Sequence, residues 1–361
     1  MPSDRAVMSS ALSGLDGAPV WLNSEALAAE DLRGSVVLVD FWTYSCVNWL
    51  RTLPYLRAWD ERYRDRGLVV VGVHAPEFGF EHDLDNVRRA TRELGVGYPV
   101  VIDNDFAIWR SFENRYWPAL YLVGQNGHLR FHHFGEGAYE ESERAIQRLL
   151  GVEEETVRVD ADGLAEAADW DTLRSPETYV GDARGERRVD VRADRLALNE
   201  WALEGQWTVD EESAVLDAAA DSHTLGSPET YVGDARGERR VDARADRLAL
   251  NEWALAGQWT VDAESAVLDA AAGSIAYRFA GRDLNLVLAP AAGGGAVRFA
   301  VLLDGEPPGD DHGLDIDEAG EGVVAEPRMY QLVRQRGPVR PRTFEIRFLD
   351  PGARAYVFTF G

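Results

Sequence analysis

One junction constrains this chain more than any other: an uninterrupted apolar run delivers the only cysteine to the start of a helix. Val36-Val37-Leu38-Val39-Asp40-Phe41-Trp42 shows no polar alternation, so it reads as a strand covered on both faces. Such a strand needs helices above and below it, which places the chain in the α/β class. Leu50, Leu53, Leu56, Trp59 and Tyr63 then recur at helical spacing up to Gly67. Cys46 lies in the turn between the two, at the first turn of that helix. Free N–H groups and the macrodipole there favour a thiolate. The alternative is a relic thiol packed as a small hydrophobe.

Further elements follow in the same style. Leu68 to Val73 reads as a second buried strand, Asp83 to Leu94 as an amphipathic helix ending at Gly95, and Tyr98 to Ile102 as a short strand. A short helix is expected over Asp105–Phe112, and Trp117-Pro118 leads into the apolar run 119–123. An X-Pro bond at that place is a cis candidate. Gln125-Asn126-Gly127-His128 marks a hairpin turn into Leu129–Phe134, and a last helix spans about Glu140 to Leu150.

The spacing of particular residues adds a family likeness. Asp40 lies six residues before Cys46 and Pro54 eight after it, while Trp117-Pro118-Ala119 precedes a strand. With Phe41-Trp42-Thr43-Tyr44-Ser45-Cys46, Arg51-Thr52-Leu53-Pro54-Tyr55 and Gly72-Val73-His74-Ala75-Pro76-Glu77-Phe78, residues 17–151 resemble the TlpA-like branch of the thioredoxin superfamily, closest to the DipZ type. The resemblance implies an α/β thioredoxin fold, a three-layer α/β/α sandwich. It implies Cys46 as nucleophile, Asp40 as a buried carboxylate that accepts a proton, and a cis-proline loop at Trp117 and Pro118 that grips an extended substrate. Trp42, Thr43 and Trp49 complete the candidate substrate groove. Thr43 also stands at the T-x-x-C spacing of peroxiredoxins, although a solvent-side turn residue is the plainer reading.

Trp49 is the departure, because it occupies the position where dithiol relatives carry a resolving cysteine. A mixed disulfide on Cys46 then has no internal thiol to release it. The expected partners are a disulfide or peroxide substrate and an external thiol reductant, with no cofactor. A non-catalytic binding protein that uses the cis-proline groove is the competing reading, with Trp49 capping the groove or offering a partner an aromatic face; ordinary helix packing is the equal alternative for that ring.

Composition narrows the partners. The formal charge is −25 and all 37 basic residues are arginine, which argues against nucleic acid and anionic membranes. The seven histidines form no metal set: His132 and His133 are adjacent on a strand and point to opposite faces. No apolar stretch approaches the ~20 residues of a membrane span, and no signal-peptide pattern opens the chain. A cytoplasmic location is expected, with an exported one implied by the family likeness.

The expected organisation is a lead over 1–16, the thioredoxin-like domain over 17–151, an acidic linker over 152–171, a duplicated partial segment over 172–223, and a β-sandwich over 224–361. Thr172–Ala220 and Thr224–Ala272 align without gaps at an offset of 52 residues, and only four of 49 positions differ. Repeats of a solenoid drift further apart, so this reads as a tandem duplication of part of one domain. Only the second copy runs on into strand-like segments, at Ile275–Phe279, Leu284–Leu288, Val297–Leu303, Phe344–Phe348 and Ala355–Phe360. They predict an antiparallel, jelly-roll-like sandwich. Trp207-Thr208-Val209 and Trp259-Thr260-Val261 compete for one place in it; contiguity favours the second copy and leaves the first peripheral. The portion from Ser227 resembles the module that follows the thioredoxin domain in DipZ-like proteins, itself similar to carbohydrate-binding modules, which implies a glycan or protein ligand.

Overall fold

The computed structural model describes residues 11–180, 207–209, 214–216, 248–270, 272–291 and 293–361. The chain divides into two compact units, Met1–Glu166 and Ala167–Gly361.

The first unit is built on strands β1 (Trp21–Leu22), β2 (Val36–Trp42), β3 (Leu68–His74), β4 (Val100–Ile102), β5 (Ala119–Val123) and β6 (Leu129–Phe134). They form one mixed sheet in the order β1-β4-β3-β2-β5-β6. Strands β2, β3 and β4 run parallel, while β5 and β6 return antiparallel beside β2. Helices α1 (Val47–Tyr63), α2 (Leu84–Glu93), α3 (Ala107–Ser111) and α4 (Tyr139–Leu150) connect them. All seven residues of β2 are buried, as a central strand covered on both faces requires. This is the expected thioredoxin fold.

Local chemistry accounts for the boundaries. Asp83 caps α2 by accepting from the Asp85 and Asn86 amides, and Gly95 leaves that helix in the left-handed region. Pro54 lies inside α1. Two expected borders shift. Leu12 and Leu15, in the expected lead, pack into the core of this unit. The expected linker also begins docked: Glu154 pairs with Arg62 and Arg66, the Val157 amide donates to Glu143, and the turn Gly163–Ala165 packs on α1. Its acidity is matched by arginines on α1 and the turn after it, which composition alone cannot show.

The second unit opens with β7 (Thr178–Tyr179). A hairpin of β8 (Trp207–Val209) and β9 (Ala214–Leu216) pairs with itself. Then come β10 (Trp253–Ala256), β11 (Trp259–Val261), β12 (Ala266–Leu268), β13 (Ser274–Phe279), β14 (Asp283–Pro290) and β15 (Val297–Leu303), followed by β16 (Glu321–Val324), β17 (Arg328–Arg334), β18 (Arg342–Phe348) and β19 (Ala353–Phe360). One antiparallel sheet has the order β10-β13-β18-β15-β16, and the other β11-β12-β19-β14-β17, with β7 also on β19. Leu284, Leu286, Tyr330, Leu332 and Phe358 of the second sheet share a core with Tyr277, Phe299, Val301, Phe344 and Ile346 of the first. Each large side chain so enclosed contributes about 1.5–3 kcal/mol. Strands β10, β12, β16 and β17 were not read from the sequence.

The two repeat copies share this sandwich. Trp259–Val261 of the second copy takes the contested place, as contiguity suggested. The first copy is not wholly peripheral, however. Its opening residues enter the module: Thr178 and Tyr179 pair with Phe358 and Val357, and the Val180 amide donates to the Tyr356 carbonyl at 2.7 Å. Ser175 bridges Asn251 and the Ala280 amide, and Val180 joins the core. Contacts from Ala280, Tyr277 and β19 hold this segment, a long-range pairing invisible in the repeat itself. Its sequence duplicate, residues 227–232, lies outside the described residues, as does the expected fold of 181–206, 210–213 and 217–223. No helix among the described residues is long and apolar enough to cross a membrane.

Candidate active site

Strand β2 ends at Trp42, and the turn Thr43-Tyr44-Ser45 carries the chain to Cys46 at the N-cap of α1. The Cys46 amide donates to the Thr43 carbonyl at 3.3 Å, and its carbonyl accepts the first helical bond from Leu50. No acidic side chain stands in the first turn of α1, so its free N–H groups face the thiol without a competing anion. Cys46 is half-buried, and its Sγ lies 3.9 Å from the Trp117 carbonyl.

The Trp117–Pro118 bond is cis. The Trp117 indole donates to the Ala75 carbonyl at 3.0 Å and packs 4.3 Å from Trp109. From the other side, the Gly135 amide donates to the Pro118 carbonyl at 2.8 Å. Arg51, one turn beyond Cys46 on α1, donates to Glu136 at 2.9 Å in a nearly closed pair. Helix and proline loop are thereby tied together, by residues the sequence did not single out.

Trp49 is fully enclosed. Its ring stacks on Trp42 at 4.2 Å, and its indole N–H donates to Asp40 Oδ2 at 2.9 Å. Gly72, paired with Asp40 across β2 and β3, makes the room, since a Cβ there would lie 2.9 Å from Trp42 Nε1. Trp42 and Trp49 therefore present no face to a substrate, contrary to the groove-lining role expected of them. Aromatic packing took both rings inward; the Trp49 indole finds its acceptor in Asp40, whereas Trp42 Nε1 has none among the described residues. Burial pushes the Asp40 carboxyl up to about 7, with Trp49 and Tyr98 pulling against it.

Thr43 is also fully buried rather than on the solvent side of the turn. Two further titratable groups gather here that sequence reading missed. Glu81 is fully buried and accepts from Ser45 Oγ at 2.6 Å, from the Glu77 amide at 2.6 Å and from the Phe78 amide at 3.0 Å. Burial, and then the charge of Glu77, raise it to about 7, against bonds from Ser45, Thr43 and Phe78. His74, paired with Trp42 in the sheet, lies edge-on to that ring, and burial lowers its pKa to about 3. Its place one residue before Ala75 at the end of a buried strand was the available signal. No group of His, Cys, Asp or Glu able to hold a metal ion occurs among the described residues.

Fold and site define a redoxin-type domain with the thioredoxin fold, followed along the chain by an antiparallel β-sandwich. Residues 20–132 match the AhpC/TSA family, and residues 227–361 match the family described as thioredoxin like C-terminal domain. The chain is similar to Protein DipZ of Mycobacterium tuberculosis: it is 30% identical over 355 residues, a match that covers 97% of this chain and 42% of that protein. It thus spans less than half the length of that curated relative. Thiol-disulfide oxidoreductase YkuV of Bacillus subtilis is 29% identical over 136 residues, covering 38% of this chain and 91% of that protein. A solved thioredoxin-like protein in the oxidized form is 30% identical, covering 39% of this chain and 96% of its own, at a TM-score of 0.36.

Proposed function

We propose that this chain is a thiol redox protein that exchanges or reduces disulfides through Cys46 alone. The carrying observation is the half-buried thiol at the N-cap of α1, set against the carbonyl of the cis-proline loop. In this reaction the Cys46 thiolate attacks one sulfur of a substrate disulfide. The S–S bond breaks, the leaving thiolate takes a proton, and a mixed disulfide remains on Cys46. An external thiol supplies the electrons that release it and is itself oxidised. Asp40, titrating near neutrality at the end of β2, is the group suited to exchange the proton.

Two features support this reading over its rivals. Thr43 is buried beside Glu81 rather than presented to solvent, which favours disulfides over peroxides. Trp49, which a groove-binding protein would use as a surface, is inside the core.

Incubation with glutathione disulfide, followed by intact-mass spectrometry, tests the proposal. One glutathione adduct per chain is expected, absent from Cys46→Ser, stable on dilution and removed by dithiothreitol. A native chain that stays unmodified between about pH 6 and 9 overturns it.

A further inference from the structure

Glu81 is the buried ionisable group that the reaction above leaves without a task. Its carboxyl does two separable things. One oxygen, Oε2, gathers the amides of Glu77 and Phe78, closing the loop after β3. The other, Oε1, takes the hydroxyl of Ser45, the residue directly before the nucleophile. The loop needs only the first oxygen. The second reaches across 36 residues of sequence to the turn that presents the thiol, and Ser45 itself is enclosed.

Among the described residues the Ser45 hydroxyl makes no other hydrogen bond. The turn is also closed by the bond from the Cys46 amide to the Thr43 carbonyl, which at 3.3 Å is long, and by Tyr44 stacking on His74. The Ser45–Glu81 contact, at 2.6 Å, has the length of a hydroxyl bonded to an ionised acceptor, roughly twice as strong as a neutral bond.

We infer that Glu81 is a positioning residue for Cys46: its carboxylate, acting through Ser45, holds the turn that sets the thiol at the head of α1, so thiol reactivity follows the charge state of Glu81. This rests on the proposed role of Cys46. The groups bearing on Glu81 are Glu77, whose charge opposes ionisation, and Ser45, Thr43 and the Phe78 amide, which favour it. The balance lies near neutrality.

The test is the pH profile of Cys46 alkylation by iodoacetamide in the full chain, read by mass spectrometry. The native protein is expected to show a step near pH 7 in addition to the ionisation of the thiol itself. Ser45→Ala removes the tie and leaves the loop amides their acceptor. It should abolish that step and slow alkylation at pH 8 about tenfold, the worth of one charge-assisted bond. Glu81→Gln keeps a hydrogen bond of nearly the same shape to Ser45. It should abolish the step and fix the rate near the level the native protein shows below it. A native profile that both variants reproduce overturns the inference and leaves the proposed function standing. A thiol inert at every pH overturns both.

Discussion

Asp40 in the redox unit and Asp283 in the sandwich are both carboxylates closed off from solvent on interior strands, yet their surroundings are opposite. Asp283 is gripped by Arg334 at 2.6 and 3.1 Å and by Arg282 at 2.7 and 3.1 Å. Asp40 receives a neutral indole N–H, and burial raises it to about 7. Glu81 and His74, within the same unit, are likewise held without an opposite charge beside them and displaced toward their neutral forms. In the sandwich, buried charge serves the structure and is compensated. In the redox unit Arg51 and Glu136 compensate each other, but Asp40, Glu81 and His74 have no such partner in the unit that carries the cysteine, which is where proton chemistry needs them.

One isosteric change applied to both carboxylates gives opposite signs. Asp283→Asn strands a nearly closed Arg334 without its counter-charge. Removing one partner of a buried pair costs ~3–5 kcal/mol. Denaturant unfolding should show that loss across neutral pH; a change below about 1 kcal/mol would break the comparison.

Asp40→Asn should instead stabilise, in a pH-dependent way. The folded carboxyl holds its proton up to about pH 7, whereas the unfolded one releases it near 3.8. Stability from this group is therefore complete below about pH 4 and is lost as pH rises through 7. Above that, the buried charge costs on the order of 4 kcal/mol, which the asparagine does not incur. The variant should match the native protein near pH 4 and exceed it at pH 8. A difference that does not vary with pH would sink this account of Asp40.

The smallest effect concerns the repeat. Deleting residues 181–232 joins Val180 to Gly233 and restores a single copy with its native junction. The connection from Val180 to Leu248 shortens from 67 residues to 15, which favours closure by about 1 kcal/mol. The sandwich should unfold with equal or slightly higher stability by calorimetry. A clear destabilisation would mean that the deleted segment contributes to the module.

Much of the redox unit was legible because its signals are local. The unbroken apolar run of β2 announces a covered strand, Gly95 and Gly127 punctuate the chain, and Pro118 precedes β5. The site was legible only in part. Cys46 and the cis-proline loop follow from positions along the chain. Glu81 and His74 were not found, because β3 brings them to Cys46 by lying beside β2, with His74 opposite Trp42. Trp49 was left open between a groove role and helix packing, because helical spacing does not say which ring will find a buried acceptor.

The sequence by itself determined that a strand delivers a lone thiol to a helix start, that position 49 carries no second thiol, and that part of the sandwich is written twice. Only the tertiary structure decided what those facts mean. Two stretches that differ at four of 49 positions share nearly every propensity and turn signal, so little that is local can rank them. Ser175–Val180 is held by Ala280, Tyr277 and β19, and Trp259–Leu268 by β19, so one module draws on both copies. The same holds at the thiol: a glutamate distant in sequence reaches Ser45 because strand order, not spacing, sets which side chains meet.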